Sequence, residues 1–206
     1  MKRTRLRRER GYTVVEVMSA MTLFAIGAAG VISMQRVTIQ GGDDARRMDI
    51  AVNIAHEWSA RLHRDAAFWT RPSASFPDEN NLAQTTWLSG AAGLDATTLG
   101  PWTTPPLAGD HVGRSPAFDL FGRDLPAAGG DPHIFCTQYR FRWITHPGAT
   151  GASQRMTALL RAEIRVYYAR LDEAPIVDCF GYDPEANKPR LHFVHVTTAV
   201  RPNPEP

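Results

Sequence analysis

The chain has 206 residues, of which 43% are hydrophobic, and its formal net charge is +2. This length and composition favour one folded domain with an anchor over several domains. Six of the 23 basic residues but only one of the 21 acidic residues lie within the first eleven positions, so the rest of the chain has a formal charge of about −3. That balance argues against a general nucleic-acid binder, which normally carries a basic surface.

A basic leader precedes a long apolar run. The basic residues of the leader are Lys2, Arg3, Arg5, Arg7, Arg8 and Arg10. From Val17 to Met34, eighteen consecutive residues carry no charge, which is long enough for a transmembrane helix. Because basic residues ahead of a span hold that end in the cytoplasm, we expect the chain after the span to be exported.

Glu16 is the one acidic residue at the start of this apolar run. An unpaired carboxylate near the edge of the hydrocarbon region costs about a few kcal/mol, so an acid at this depth predicts a functional partner. The alternative is a simple membrane-anchored protein in which Glu16 lies in the headgroup layer.

The helix is expected to continue beyond the membrane. Apolar residues recur at spacings of three and four at Met48, Ala51, Val52, Ala55, Trp58 and Leu62, the pattern of one helical face. Asp43 or Asp44 would supply an N-cap, and the solvated side would carry Arg46, Arg47, Arg61 and Arg64. One helix from Tyr12 to about Asp65 would be roughly 80 Å long, and its second half would pack on a globular head.

The segment from 68 to 132 is rich in Pro, Gly, Ser and Thr and shows no clear period. A loop of this length is usually functional or ordered by short elements. Trp69, Trp87 and Trp102 lie in it, and we interpret them as local core anchors, with partner contacts as the alternative.

The last third of the chain predicts strands. Apolar and polar residues alternate from Phe135 to Ile144 and from Leu160 to Tyr168. The run from Leu191 to Val200 is rich in β-branched and aromatic residues. The spacer from His146 to Thr157 fits a hairpin loop. The predicted fold class is therefore α+β: a long N-terminal helix packed on an antiparallel sheet that buries one face.

The two cysteines are Cys136 and Cys179. An even cysteine count in an exported domain predicts a disulfide, and closing this loop would stabilise the fold by about 4 kcal/mol. The alternative is two independently buried thiols.

The sequence predicts no catalytic, metal or cofactor site. His192 and His195 are three residues apart, which on a strand places them on opposite faces. Two further pairs of titratable residues, Asp110 with His111 and Asp78 with Glu79, lie in segments predicted to be loops. We expect both pairs to be solvated. Neither a GxSxG motif, a Walker loop nor a CxxC pair occurs, so we expect a protein that is not an enzyme.

An ordinary secretory signal is cleaved after its apolar segment, but here the arrangement is reversed. The sequence RERGYTVVEVMSAMTLFAIG resembles the class III signal of type IV prepilins. The resemblance implies cleavage between Gly11 and Tyr12 by prepilin peptidase, methylation of the new amine of Tyr12, and a role for Glu16 in assembly. Tyr12 stands where phenylalanine is most usual, and the aromatic character is kept. The amine of an incoming subunit would pair with Glu16 of its neighbour and offset its desolvation.

Glycines interrupt the predicted helix at Gly27, Gly30, Gly41 and Gly42. Each costs about 1 kcal/mol relative to alanine. In pilins such positions are where the helix unwinds on assembly, but close packing of helices at small residues explains them equally well.

The stretches AIGAAGVISMQ and AHEWSARLHRD resemble the N-terminal half of PilV-type minor pilins, over about the first 65 residues. The implied organisation is a cleaved leader (1–11), a transmembrane or filament-core helix (12–35), its continuation on the head (36–67), a variable segment (68–132) and a β-sheet region (133–206).

This resemblance implies a minor pilin, a non-catalytic structural subunit of a type IV pilus that primes assembly or forms the tip complex. Its partners would be prepilin peptidase, the major pilin, other minor pilins, the inner-membrane assembly platform and a large tip adhesin. It would cross the inner membrane once, with a cytoplasmic N-terminus and a periplasmic head, and reach the cell surface in the assembled pilus.

Two alternatives stay open. A minor pseudopilin of a type II secretion system shares the leader and the helix. A pilus-tip adhesin or DNA-binding module would instead use the tryptophan-containing middle segment as its ligand site.

Overall fold

The computed structural model describes residues 12–69, 81–95, 97–107, 109, 112–126, 131–145 and 158–202. Within them the chain forms one helix, α1 (Val14–Ala66), and four strands, β1 (Ala117–Phe118), β2 (Phe135–Thr145), β3 (Leu159–Ala169) and β4 (Leu191–Val200). Short 3-10 helices occur at Asn81–Gln84, Ser89–Ala91 and Lys188–Arg190. The predicted α+β architecture is thereby confirmed. The predicted features that lie outside the described residues are the leader, Asp78, Glu79, Asp110, His111 and the whole hairpin loop from His146 to Thr157.

Helix α1 is continuous over 53 residues. It runs through Asp43 and Asp44 without beginning again, so the N-cap predicted there is wrong. The chain divides into two compact units, Met1–Asp44 and Ala45–Pro206. The second unit contains the last part of α1 and all four strands, and we call it the head.

The part of α1 within the head buries one apolar stripe. Its buried apolar residues are Ala51, Ile54, Ala55, Trp58, Leu62 and Ala66. Four of these were in the predicted face, whereas Met48 is 55% exposed and Val52 is only half-buried. The predicted face was therefore wrong at these two positions. The buried stripe begins at Ala51, about one turn after Met48, and it includes Ile54 in place of Val52.

The four strands form one antiparallel sheet in the order β1-β2-β3-β4. The three longer strands occupy the predicted segments. Strands β2 and β3 pair from Phe135 opposite Tyr168 to Trp143 opposite Leu160, and their register shifts between Trp143 and Thr145. The alternating apolar residues of these strands face α1 and complete the core: Tyr139, Phe141, Trp143, Ala162, Ile164 and Val166.

The opposite face of the sheet is also partly covered, which the sequence did not predict. Tyr167 is fully buried and Arg165 is 4% exposed, although the alternation along β3 places both on the face opposite α1. The connection between β3 and β4 covers this end with Ile176 and Cys179. Alternation shows which residues share a face, but it cannot show whether a loop covers that face.

The side chain of Arg61 is buried, contrary to the prediction. It was predicted on the solvated side of α1, but it is 2% exposed. Its guanidinium donates to both carboxylate oxygens of Asp124 at 3.0 and 3.2 Å and to the carbonyl oxygen of Ser115 at 3.1 Å. It also lies 4.7 Å from the ring centre of Trp58. The variable segment is thus held on α1 by a buried ion pair.

The tryptophans of the variable segment are packed against the head. Trp69 is 2% exposed and meets Trp143 edge to face, and Trp87 meets Trp58 in the same way. Trp102 lies against the guanidinium groups of Arg140 and Arg165, whose Cζ atoms are 4.4 and 4.3 Å from its ring centre.

Candidate functional site

The start of α1 carries the candidate processing and assembly residues. Gly11 lies outside the described residues, Tyr12 is 83% exposed, and Glu16 is in the first turn of the helix. The backbone N–H of Glu16 donates to Thr13, with distances of 3.3 Å to its Oγ1 and 3.1 Å to its carbonyl oxygen. Thr13 is therefore the N-cap of α1.

Thr13 was missed in the sequence, although a signal was present. The pattern Thr-x-x-Glu just before an apolar run is that of a capping box. Glu16 is the acid of the first turn of α1, where a negative charge interacts favourably with the positive end of the helix dipole.

The first half of α1 presents its apolar side chains outward. From Val14 to Ile39 the large apolar residues range from 44% exposed at Val17 to 78% exposed at Phe24. The helix is long and apolar enough to cross a membrane, and none of its most apolar 18-residue window is buried. Such a surface requires lipid or other helices around it.

Three hydroxyl groups in this region donate to backbone carbonyl groups of the helix itself. Ser19 donates to the carbonyl oxygen of Glu16 at 2.9 Å, Thr22 to that of Met18 at 2.8 Å, and Thr38 to that of Met34 at 3.0 Å. Because these donors already have acceptors, the three side chains add little cost in an apolar environment.

The glycines of this region have open surroundings. A Cβ added at Gly27, Gly30, Gly41 or Gly42 would meet no atom within 4 Å, apart from the local helix backbone. Nothing within the described chain therefore requires glycine there.

In the head, Cys136 and Cys179 form a disulfide with 5.4 Å between their Cα atoms. Both cysteines are fully buried, and the backbone N–H of Cys179 donates to Nδ1 of His133 at 3.0 Å. The disulfide joins β2 to the connection that covers the outer face of the sheet.

The histidines of β4 lie in different surroundings. The ring of His192 lies 5.3 Å from that of Tyr168, whereas His195 lies against Phe193 and Trp102. Burial, and then the nearby charges of Arg165 and Arg140, lower the pKa of His195 from its ordinary value. The two rings are not brought together into a metal pair.

Residues 6–32 match the family model of the prokaryotic N-terminal methylation motif. No curated protein and no solved structure matches the chain. The match includes Gly11, Tyr12 and Glu16, and it ends at Ile32, before the head begins. The chain therefore carries the N-terminal methylation signal expected of type IV prepilins, and this signal runs into a helix that is long and apolar enough to cross a membrane.

Proposed function

We propose that the protein is a minor pilin, a non-catalytic subunit that primes the assembly of a type IV pilus or forms part of its tip complex. The observation that carries the proposal is the methylation motif at residues 6–32, followed by a helix whose apolar side chains are exposed. A head folded on the second part of the same helix supports it, because a filament subunit needs one region for the filament core and another for its surface.

Assembly in this proposal depends on Tyr12 and Glu16. Cleavage after Gly11 creates a positive amine on Tyr12, and Glu16 of a neighbouring subunit supplies the opposite charge. A lone carboxylate in an apolar environment is costly, and a paired one much less so. The pair therefore favours the register in which one subunit is displaced along its neighbour by the spacing between these two groups.

The proposed location follows from the same helix. The leader stays in the cytoplasm, α1 crosses the inner membrane once, and the head lies in the periplasm until the subunit enters the pilus. The proposed partners are prepilin peptidase, the major pilin, other minor pilins, the inner-membrane assembly platform and a large tip adhesin.

Processing is tested by intact mass and N-terminal sequencing of protein recovered from membranes, with and without active prepilin peptidase. We expect a chain that begins at methylated Tyr12 only when the peptidase is active. Gly11→Leu should leave the chain full-length, whereas Gly30→Ala should be processed normally. Full-length wild-type protein under both conditions would contradict the proposal.

Assembly is tested with Glu16→Gln, which removes the charge and keeps the size of the side chain. The variant should be processed and membrane-bound but absent from sheared pili, and pilus number should fall. Asp43→Asn removes an exposed acid later in the same helix and should assemble normally. Undiminished piliation by Glu16→Gln would rule out the assembly role.

A deletion strain distinguishes the filament machines. Loss of surface fibres and twitching movement supports the minor pilin, whereas blocked protein export with intact pili indicates a type II pseudopilin. Intact pili that no longer bind DNA or cell-surface glycans would indicate the tip-binding alternative.

A further inference from the structure

The two edges of the head sheet differ. The outer edge of β2 is covered by other parts of the chain: Gly100 donates to the carbonyl oxygen of Phe141 at 2.8 Å, and Thr103 exchanges two backbone hydrogen bonds of 2.9 Å with Tyr139. Strand β1 extends this cover. Strand β4 lies at the other end of the sheet, and no strand or bridge among the described residues pairs with its outer edge.

The open edge of β4 lacks the features that usually protect an edge strand. It is ten residues long and contains no Lys, Arg, Asp, Glu or Pro. Its ten pairs with β3 run from Leu160 opposite Val200 to Ala169 opposite Leu191 without a bulge. Natural proteins normally protect such edges with charges, proline, bulges or short strands. A long, regular and uncharged edge is therefore suited to receiving another strand.

The side chains of β4 are also incompletely buried. Val194 and Val196 pack against the main core, and Phe193 packs against the cluster on the opposite face, but all three are only partly buried. In the central strand β3, the corresponding positions from Ile164 to Tyr168 are all buried. A strand added beside β4 would cover these residues on both faces of the sheet.

Charges at the ends of β4 distinguish between possible occupants. Arg190 precedes the strand and Arg201 follows it. Arg201 is exposed, and the Arg190 side chain is 66% exposed with its nearest acid, Glu173, at 3.8 Å. Symmetric antiparallel pairing with a second copy would bring Arg190 of each chain close to Arg201 of the other. Like charges placed opposite each other on paired strands are destabilising, so the edge favours a partner other than a second copy.

We propose that the outer edge of β4 is a docking site for an extended strand of another protein, uncharged over its length and flanked by acidic residues. Backbone hydrogen bonds would give the affinity, and the acidic flanks would select the partner through Arg190 and Arg201. The proposal rests on the head alone and does not depend on the filament role.

The probe is a synthetic peptide of alternating valine and threonine with two aspartates at each end, added to the protein extracted from membranes in detergent with its helix and head intact. Binding is measured by fluorescence anisotropy, and the site is mapped by amide hydrogen exchange. We expect exchange to slow at alternate residues of β4, because only alternate N–H groups of an edge strand point outward. The same peptide with N-methylated backbone nitrogens should lose binding.

Selection by charge is tested with a second peptide that has the same valine and threonine residues but two lysines at each end. It should bind at least about tenfold more weakly than the aspartate-flanked peptide, and the double variant Arg190→Glu/Arg201→Glu should reverse this preference. The matched control is Arg142→Glu, an exposed position on β2, which should leave the preference unchanged. Equal binding of both peptides, binding without slower exchange in β4, or no binding would overturn the proposal. So would β4 protection that depends on protein concentration without peptide, because that result would indicate a second copy.

Discussion

The carboxylate of Asp65 accepts a 2.7 Å hydrogen bond from the backbone N–H of Trp87. The same carboxylate accepts hydrogen bonds from the N–H groups of Thr86 at 3.0 Å and Leu88 at 2.9 Å. Asp65 is 4% exposed, so one buried acid near the end of α1 fixes three successive residues of the variable segment. Trp87 and Leu88 are thereby held beside the core.

Replacing Asp65 with Ala should therefore destabilise the head. The change leaves three donors without their acceptor, and an unsatisfied buried donor costs about 1–3 kcal/mol. We expect a loss of about 3 kcal/mol in the free energy of unfolding, measured by tryptophan fluorescence in urea. The control is Asp49→Ala, an exposed acid of the same helix, which should change stability by less than about 0.5 kcal/mol. Equal effects of the two variants would show that the carboxylate is not needed.

Arg61 should be intolerant of replacement by lysine. Its planar guanidinium contacts Asp124, the carbonyl oxygen of Ser115 and the ring of Trp58 together, and an ammonium group cannot reproduce this fork geometry. We expect Arg61→Lys to lower the free energy of unfolding by about 2 kcal/mol.

The matched control is Arg64→Lys, because the Arg64 side chain is 68% exposed and pairs with Glu57 at the surface. It should be nearly neutral. A double-mutant cycle of Arg61→Lys with Asp124→Asn should give a coupling energy above about 1 kcal/mol. Independent, additive effects would contradict the role of this pair.

The elements that could be predicted from the sequence are those with a regular period. The apolar run, the helical stripe at Ala51, Ala55 and Trp58, and the alternation along β2 and β3 all reflect one repeated geometry. The methylation motif is also local, so its spacing could be recognised without the fold.

The contacts of Asp65 and Arg61 could not be predicted in this way. Each joins α1 to a segment that has no period, and a single buried charge looks the same in sequence as a solvated one. Tyr167 shows the same limit, because alternation gives only its face of β3. Its burial depends on a cluster that includes Cys179 of the connection and Leu125 of the variable segment. Aromatic residues on a face expected to be solvated are a signal that something covers them.

The disulfide should contribute strongly to the stability of the head. Cys136 and Cys179 are separated by 43 residues, and a closed loop of this length stabilises by about 4 kcal/mol in the chain-entropy model. We expect a reductant to lower the free energy of unfolding by up to this amount. The Cys136→Ala/Cys179→Ala variant should be destabilised similarly and should not respond to reductant. A wild-type protein that is indifferent to reduction would indicate that the two sulfurs do not form a bond in the protein.

His195 should make the stability of the head dependent on pH below neutrality. Burial comes first among the causes that lower its pKa from the ordinary value of 6.5, followed by Arg165 and Arg140, with a smaller contribution of the same sign from Lys188 and an opposing one from Glu163. Between the lowered pKa and 6.5, the unfolded chain binds more protons at this residue than the folded chain does. The free energy of unfolding should therefore decrease as the pH falls below about 6.5, and the decrease at this site should stop once the pH is below the folded pKa.

Glu185 acts in a separate and lower pH range. A hydrogen bond from Arg165 lowers the pKa of Glu185 from its ordinary value of 4.5, so its stabilising contribution is lost only as the pH falls below about 4.5. Urea titrations between pH 7.5 and 5.5 should thus separate the histidine range from that of Glu185, and a substitution then identifies the part that belongs to His195. His195→Gln should reduce the slope of unfolding free energy against pH in this range, whereas His56→Gln, at an exposed position on α1, should keep it. If His195→Gln retains the wild-type slope, the guanidinium groups of Arg140 and Arg165 do not disfavour the protonated ring. His195 would then contribute to stability only through its aromatic contacts with Trp102 and Phe193.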